Sequence, residues 1–163
     1  MKRRVCGLDE CGRGALSGPL VAAAVVLNCS VKRLVPIAKA PLKDSKVLNS
    51  KQRERVYQAL MKSGATIGVE IVSARQINNQ GIGWANREIF RRLIRQIEAD
   101  EYIVDGNLSV RVNGKGKRIR SLIRADKMIA EVMAASIVAK LTRDKIMSDL
   151  HMKHPAYGWK TNV

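Results

Sequence analysis

Acidic residues are scarce in this chain: fourteen Asp and Glu stand against thirty Lys and Arg in 163 residues, a formal net charge of +16. Such a surplus attracts phosphate backbones, although it also suits a basic surface kept for solubility. Long apolar runs are missing as well. No stretch approaches the roughly 18 uncharged apolar residues of a membrane helix, and the N-terminus leads straight into an apolar strand pattern without a signal-peptide core. A cytoplasmic location with no membrane partner is expected. Cysteine is sparse, and Cys6, Cys11 and Cys29 are odd in number and without C-x-x-C spacing. A disulfide framework is therefore unexpected, and a zinc site with His151 and His154 matches no structural spacing. Internal repeats and low-complexity segments are absent. With 46% hydrophobic residues the chain can bury one core, which predicts a single domain over 1–163.

What is present begins at Arg4–Leu27. Val5–Leu8 and Leu20–Leu27 are short apolar runs that read as buried strands, separated by Gly12, Arg13, Gly14, Ser17, Gly18 and Pro19. Side chains alternate along a strand, so Asp9 and Glu10 are expected to converge only if the strand ends at that point. The glycines after Glu10 allow such an ending and a close backbone approach to a ligand.

Further along, Asn28–Val47 carries Pro36, Pro41 and Lys43-Asp44-Ser45-Lys46 and reads as a loop. Asn49 with Gln52 forms a capping-box signature for a helix that stops at Ser63 and Gly64, with Val56, Ala59 and Leu60 on its apolar face. Ala65–Val72 reads as a strand, and Ser73 with Gln76 repeats the cap for a short helix. Trp84–Asp100 is the clearest amphipathic helix, with Ile89, Phe90, Leu93, Ile94 and Ile97 in one stripe. Tyr102–Val104 is a strand that ends, again, on acid and glycine at Asp105 and Gly106. Leu108–Arg124 reads as a hairpin turning at Asn113 and Gly114. Its Lys115, Lys117, Arg118, Arg120 and Arg124 make it the most basic stretch of the chain. From Lys127 to Lys153 a long helix is expected, with Ala134, Ala135 and Ala139 permitting close packing.

Four acids thus stand at ends of elements: Asp9, Glu10, Asp105 and Asp126. Gathered carboxylates repel one another, and a bound divalent cation is the usual reason to tolerate that. Hard oxygen ligands on a basic protein suit Mg²⁺ or Mn²⁺ and phosphodiester hydrolysis with two ions about 4 Å apart. The same acids also fit plainer roles, Asp126 as a helix cap and Asp105 as the first residue of a turn. Asp144, about 27 Å further along the expected helix than Asp126, cannot share their metal. Asp44 remains open as a supporting group.

Motif by motif, DECGRGALSGPLVAAAVVL, KDSKVLNSKQRERVY, YIVDGN, AASIVAKLTRDKIM and HPAYGW resemble the type 2 ribonucleases H, bacterial ribonuclease HII in particular, in the family's order along nearly the whole chain. The resemblance implies an α/β protein of RNase H-like fold, a mixed sheet of about five strands flanked by helices. It also implies an endonuclease that hydrolyses the RNA strand of RNA/DNA hybrids, and cuts at ribonucleotides embedded in duplex DNA, leaving 3′-hydroxyl and 5′-phosphate ends; a monomer is expected, with no protein partner assigned. Asp9, Glu10, Asp105 and Asp126 fall on the family's catalytic, metal-binding acids, with Mg²⁺ or Mn²⁺ as cofactor. Gly12, Arg13 and Gly14 fall on the loop that reads the ribose 2′-hydroxyl, and Ser45 and Lys46 on a phosphate-contacting segment. Lys140, Thr142 and Arg143 match a motif on the long helix. Departures are Cys11 and Ala125 where small apolar residues and glycine are usual, and the basic stretch between Asp105 and Asp126. The chain stops at Val163, before the family's G-Y-x-T segment, so a C-terminal part is expected to be missing. The alternative that follows is a hybrid-binding protein with little turnover.

Overall fold

The computed structural model describes residues 3–112 and 117–159. Five strands, β1 Val5–Cys11, β2 Leu20–Val26, β3 Thr66–Val72, β4 Glu101–Asp105 and β5 Arg118–Leu122, form one mixed sheet in the order β3-β2-β1-β4-β5. β1 and β3 flank β2 antiparallel, while β4 runs parallel to both β1 and β5. β2 is buried along its whole length. Its unbroken run of Leu, Val and Ala, without polar alternation, follows from being covered on both faces.

Helices α1 Val31–Ala38, α2 Ser50–Lys62, α3 Ala74–Gln80, α4 Ile82–Gln96 and α5 Ala130–Lys153 supply that cover. On one face Ile89, Phe90, Leu93 and Ile94 of α4 pack on Cys6, Leu8, Leu20 and Tyr102. On the other, Ala134, Ala135, Ile137 and Val138 of α5 meet Ala23 and Val25 together with Leu34, Val56, Ala59 and Leu60. The small residues of α5 let it lie very close: a Cβ on Gly7 of β1 would come within 2.2 Å of Val132 N and of the Glu131 carbonyl carbon. Among the described residues no helix is long and apolar enough to cross a membrane, and the three cysteines are free.

Both expected capping boxes form, Asn49 with Gln52 and Ser73 with Gln76. Gly64 ends α2 with a left-handed φ of 69°, as its position after the last helical turn requires.

Four expectations are corrected. The segment 28–47 is not all loop, because Leu34 and Ala38, four residues apart, bury one face of α1 despite Pro36 within it. α4 starts at Ile82 and stops at Gln96 instead of running from Trp84 to Asp100; Gly83 is helical and the β4 approach begins earlier. There is no strand over Leu108–Val112. Leu108, Val110 and Val112 pack against the α4-side core instead, because β5 is parallel to β4 and the chain must cross a face of the sheet to reach it. The expected turn at Asn113 and Gly114, with Lys115, lies outside the described residues. Finally, Asp126 does not begin the long helix. It sits in a separate 3₁₀ turn, Ala125–Lys127, and α5 starts at Ala130 with no side-chain cap.

Candidate active site

The parallel strands β1 and β4 end side by side, and their C-terminal ends carry the acids. The last β1–β4 pair is Leu8 with Val104, which leaves Asp9 and Asp105 at adjacent strand ends. Contrary to expectation, β1 does not stop at Asp9. It stays paired with β2 through Asp9, Glu10 and Cys11. Beyond Leu8, however, it makes no further ladder pair with β4. Both acids line one cavity of about 640 Å³ with Asp105, Asp126, Gly12, Arg13, Gly14, Ser45 and Lys46. All nine residues singled out in the sequence therefore meet in one place.

Each wall has an identifiable support. Gly12 turns the chain after β1 with φ 104°, and a Cβ there would lie 2.4 Å from Arg143 Nε. Arg143, fully buried on α5, donates from Nε to the Pro19 carbonyl at 3.2 Å and from Nη2 to the Ser17 carbonyl at 2.9 Å. Arg143 thus ties the glycine-rich loop to α5. On the opposite wall, the Ser136 and Ser45 hydroxyls are hydrogen-bonded to each other at 2.9 Å, and Arg53 donates to the carbonyls of Ser45 (3.0 Å) and Leu48 (2.5 Å). Arg53 is held in turn by Asp144 at 3.2 Å, which also pairs with Lys140 at 2.7 Å. Asp144 thus supports the loop wall and does not join the acid group. Asp126 is placed by its own backbone N–H, which donates to Asp105 Oδ1 at 3.3 Å.

The electrostatics follow from crowding like charges at low exposure. Asp9 is 7% exposed, and burial, then Glu10 and Asp105, raise its carboxyl well above the ordinary range against a hydrogen bond from Ser136. Glu10 is pushed up to about 7 by burial and by Asp105, partly offset by Arg13, whose guanidinium lies 3.9 Å away. Asp126 is raised by burial, Asp105 and Asp44, with Lys46 and Lys127 opposing. Asp44 thus acts on the group through its charge.

Carboxylates raised by one another are relieved by a cation between them, and an all-oxygen donor set fits a hard divalent ion. Among the described residues no three acidic, His or Cys side chains are gathered closely enough to grip one ion by themselves. A Mg²⁺ site needs only one or two carboxylates, with waters and substrate phosphates completing the octahedron.

Of the supporting residues, Arg143 and Lys140 lie in the motif picked out on the long helix, while Ser136 and Arg53 were missed as supports. Ser136 was legible only as one more position of the α5 pattern, although a hydroxyl in an otherwise apolar stripe is a usable signal. Arg53 gives none, since its role exists only once α2, α5 and the 45–48 loop are packed together.

The fold is of RNase H-like architecture. A model of the family Ribonuclease HII matches residues 6–163. Ribonuclease HII of Orientia tsutsugamushi (strain Boryong) is 39% identical over 160 residues, covering 97% of this chain and 73% of the relative. That of Campylobacter concisus is 38% identical over 156 residues, covering 96% and 77%. Among solved structures, ribonuclease H2 from Pyrococcus horikoshii superposes with a TM-score of 0.77 at 26% identity, covering 93% of this chain and 77% of that one. The RNase HII of Archaeoglobus fulgidus, solved in a complex with PCNA, gives 0.75 at 28% identity, covering 91% and 76%. The chain belongs to the ribonuclease HII family, whose members are metal-dependent endoribonucleases.

Proposed function

We propose that this single domain hydrolyses the RNA strand of RNA/DNA hybrids and cuts at ribonucleotides embedded in duplex DNA. The observation that carries this reading is the convergence of four carboxylates, the Gly12-Arg13-Gly14 loop and the Ser45-Lys46 segment on one cavity of a chain with net charge +16.

Asp9, Glu10, Asp105 and Asp126 would hold Mg²⁺ or Mn²⁺, which when bound supplies an activated water and neutralises charge on the phosphate. The chain's own residues do the rest. Backbone groups of Gly12–Gly14 offer both a donor and an acceptor to the ribose 2′-hydroxyl, a pairing deoxyribose cannot complete. Gly14 has nothing within 4 Å of its Cβ position, so a sugar can approach its backbone directly. Lys46, exposed at the rim, and the Ser45 hydroxyl address the scissile phosphate and its neighbour. Water attacks phosphorus in line with the 3′-oxygen, the P–O3′ bond breaks, and a proton goes to that oxygen. The products are a 3′-hydroxyl and a 5′-phosphate. The attacking water gives up its proton to solvent, and Glu10, as one of the groups that would hold the cation, stays ionised.

The test is cleavage of a DNA duplex carrying one ribonucleotide, against an all-DNA control, with Mg²⁺, with Mn²⁺ and with chelator. Strand scission at the ribonucleotide, lost with chelator and in Asp105→Asn, is expected. Binding without turnover, or equal cutting of the all-DNA duplex, would overturn the reading.

A further inference from the structure

The densest basic stretch of the sequence is not used by the site above, and part of it is organised. Glu101, at the start of β4, is 7% exposed, and three guanidinium groups converge on it. Arg120 Nη1 lies 3.4 Å and Arg118 Nε 3.6 Å from Glu101 Oε1, and Arg3 Nη1 lies 3.6 Å from Oε2. One arginine would suffice to neutralise one carboxylate. Three leave a surplus of two positive charges, fixed in position by a nearly buried acid. The arginine side chains themselves stay about half exposed, at 49% for Arg3, 57% for Arg118 and 48% for Arg120. Their separations from Glu101 exceed the roughly 2.8 Å of a full charge-assisted hydrogen bond, so their donor forks keep capacity for another anion.

The placement is directional. β5 is the edge strand, and α5 packs chiefly on β1 and β2, leaving this corner of the sheet open. Arg118 pairs in register with Glu101 and Arg120 with Ile103, while Leu122 stands opposite Asp105. The two arginines therefore lie about 7 and 13 Å back along the strand from the acid end, at about 3.3 Å per residue. Laid along β5, a duplex rising about 3.4 Å per step would cover the distances from the acid end to Arg120 and Arg118 in roughly two and four steps.

We infer that Arg3, Arg118 and Arg120, gathered on Glu101, form a phosphate-binding site for the backbone of the substrate duplex a few nucleotides away from the cleavage point. This rests on the duplex-cleaving reading above. The site carries no sequence information. It sets affinity and register, because guanidinium forks contact phosphodiesters of any base.

The test measures binding of the ribonucleotide-bearing duplex by fluorescence anisotropy in chelator, over about 50 to 200 mM salt. Arg118→Gln with Arg120→Gln is expected to lower the slope of log K against log salt by about 2, so that the variant's affinity deficit shrinks about tenfold across that range. Arg118→Gln alone, which leaves two arginines on Glu101, is expected to lower it by about 1, and the Arg118→Lys, Arg120→Lys pair to restore most of it. Arg87→Gln with Arg95→Gln, which removes equal charge from the exposed face of α4, is expected to change the slope far less. An unchanged slope in both Gln variants, or an equal fall in the α4 control, overturns the site. If the wild-type chain cleaves the duplex while those slopes stay unchanged, the proposed function stands without this site. A wild-type chain that neither binds nor cuts the duplex removes both.

Discussion

Glu10→Gln should make the metal-free protein more stable at alkaline pH while abolishing cleavage. The Glu10 carboxyl is raised from 4.5 to about 7 by burial and by Asp105. Its ionised form is therefore disfavoured in the folded state relative to the unfolded chain. The native protein binds more protons than the unfolded chain between those two values, so stability falls as pH rises from about 4.5 through 7. Above that window the penalty is complete, about 3 kcal/mol for a shift of that size. Glutamine keeps the shape and removes the charge. The lost Arg13 contact, at 3.9 Å with Arg13 58% exposed, offsets little of the gain. For a chain of this length the gain corresponds to a Tm higher by roughly 6–12 °C at pH 8 in chelator, with no difference near pH 4. Mg²⁺ or Mn²⁺ should raise the Tm of the wild type more than that of the variant, because a cation at the acids binds the native state preferentially. Thermal unfolding followed by circular dichroism at pH 4 to 8, with and without cation, measures all three quantities. A variant no more stable than wild type at pH 8, or a wild type whose stability rises between pH 5 and 7, would refute the reasoning.

Other perturbations separate the supports from the chemistry. Arg143→Ala removes the donors to Ser17 and Pro19 and opens a hole under the glycine-rich loop, and should cost about 3 kcal/mol or more by urea denaturation. Gly12→Ala puts a Cβ 2.4 Å from Arg143 Nε and 2.7 Å from the Pro19 carbonyl at a φ of 104°. It should lower cleavage of the ribonucleotide duplex at least tenfold and stability by about 2 kcal/mol; wild-type kinetics would show that the loop geometry is irrelevant. Asn49→Ala breaks the capping box that starts α2, so urea denaturation should report a loss of about 1 kcal/mol. Asp144→Asn loosens Arg53 and with it the Ser45–Leu48 carbonyls. Its KM should rise more than its kcat falls in steady-state assays, since the acids themselves are untouched.

Much of this architecture was legible in the chain because it is local. The capping residues Asn49, Gln52, Ser73 and Gln76 act within one helical turn. The β2 run and the α4 stripe declare burial by composition and period alone. Asp9, Glu10, Asp105 and the Gly12-Arg13-Gly14 loop could be picked out one by one, since acid and glycine after a short apolar run leave a local trace, whereas Asp126 was expected to open the long helix and sits in a separate 3₁₀ turn. Whatever depends on partners distant in sequence was decided by the tertiary structure. The 108–112 segment reads as a strand until β5 is seen to run parallel to β4, which requires a crossover. Likewise, Asp9 and Glu10 share a cavity with Asp105 although β1 continues past them. The Glu101 cluster joins residues from the N-terminus, β4 and β5, and the Arg53–Asp144 tie spans α2 and α5. No spacing encodes either, since each forms only where the packed sheet and helices bring their charges within reach.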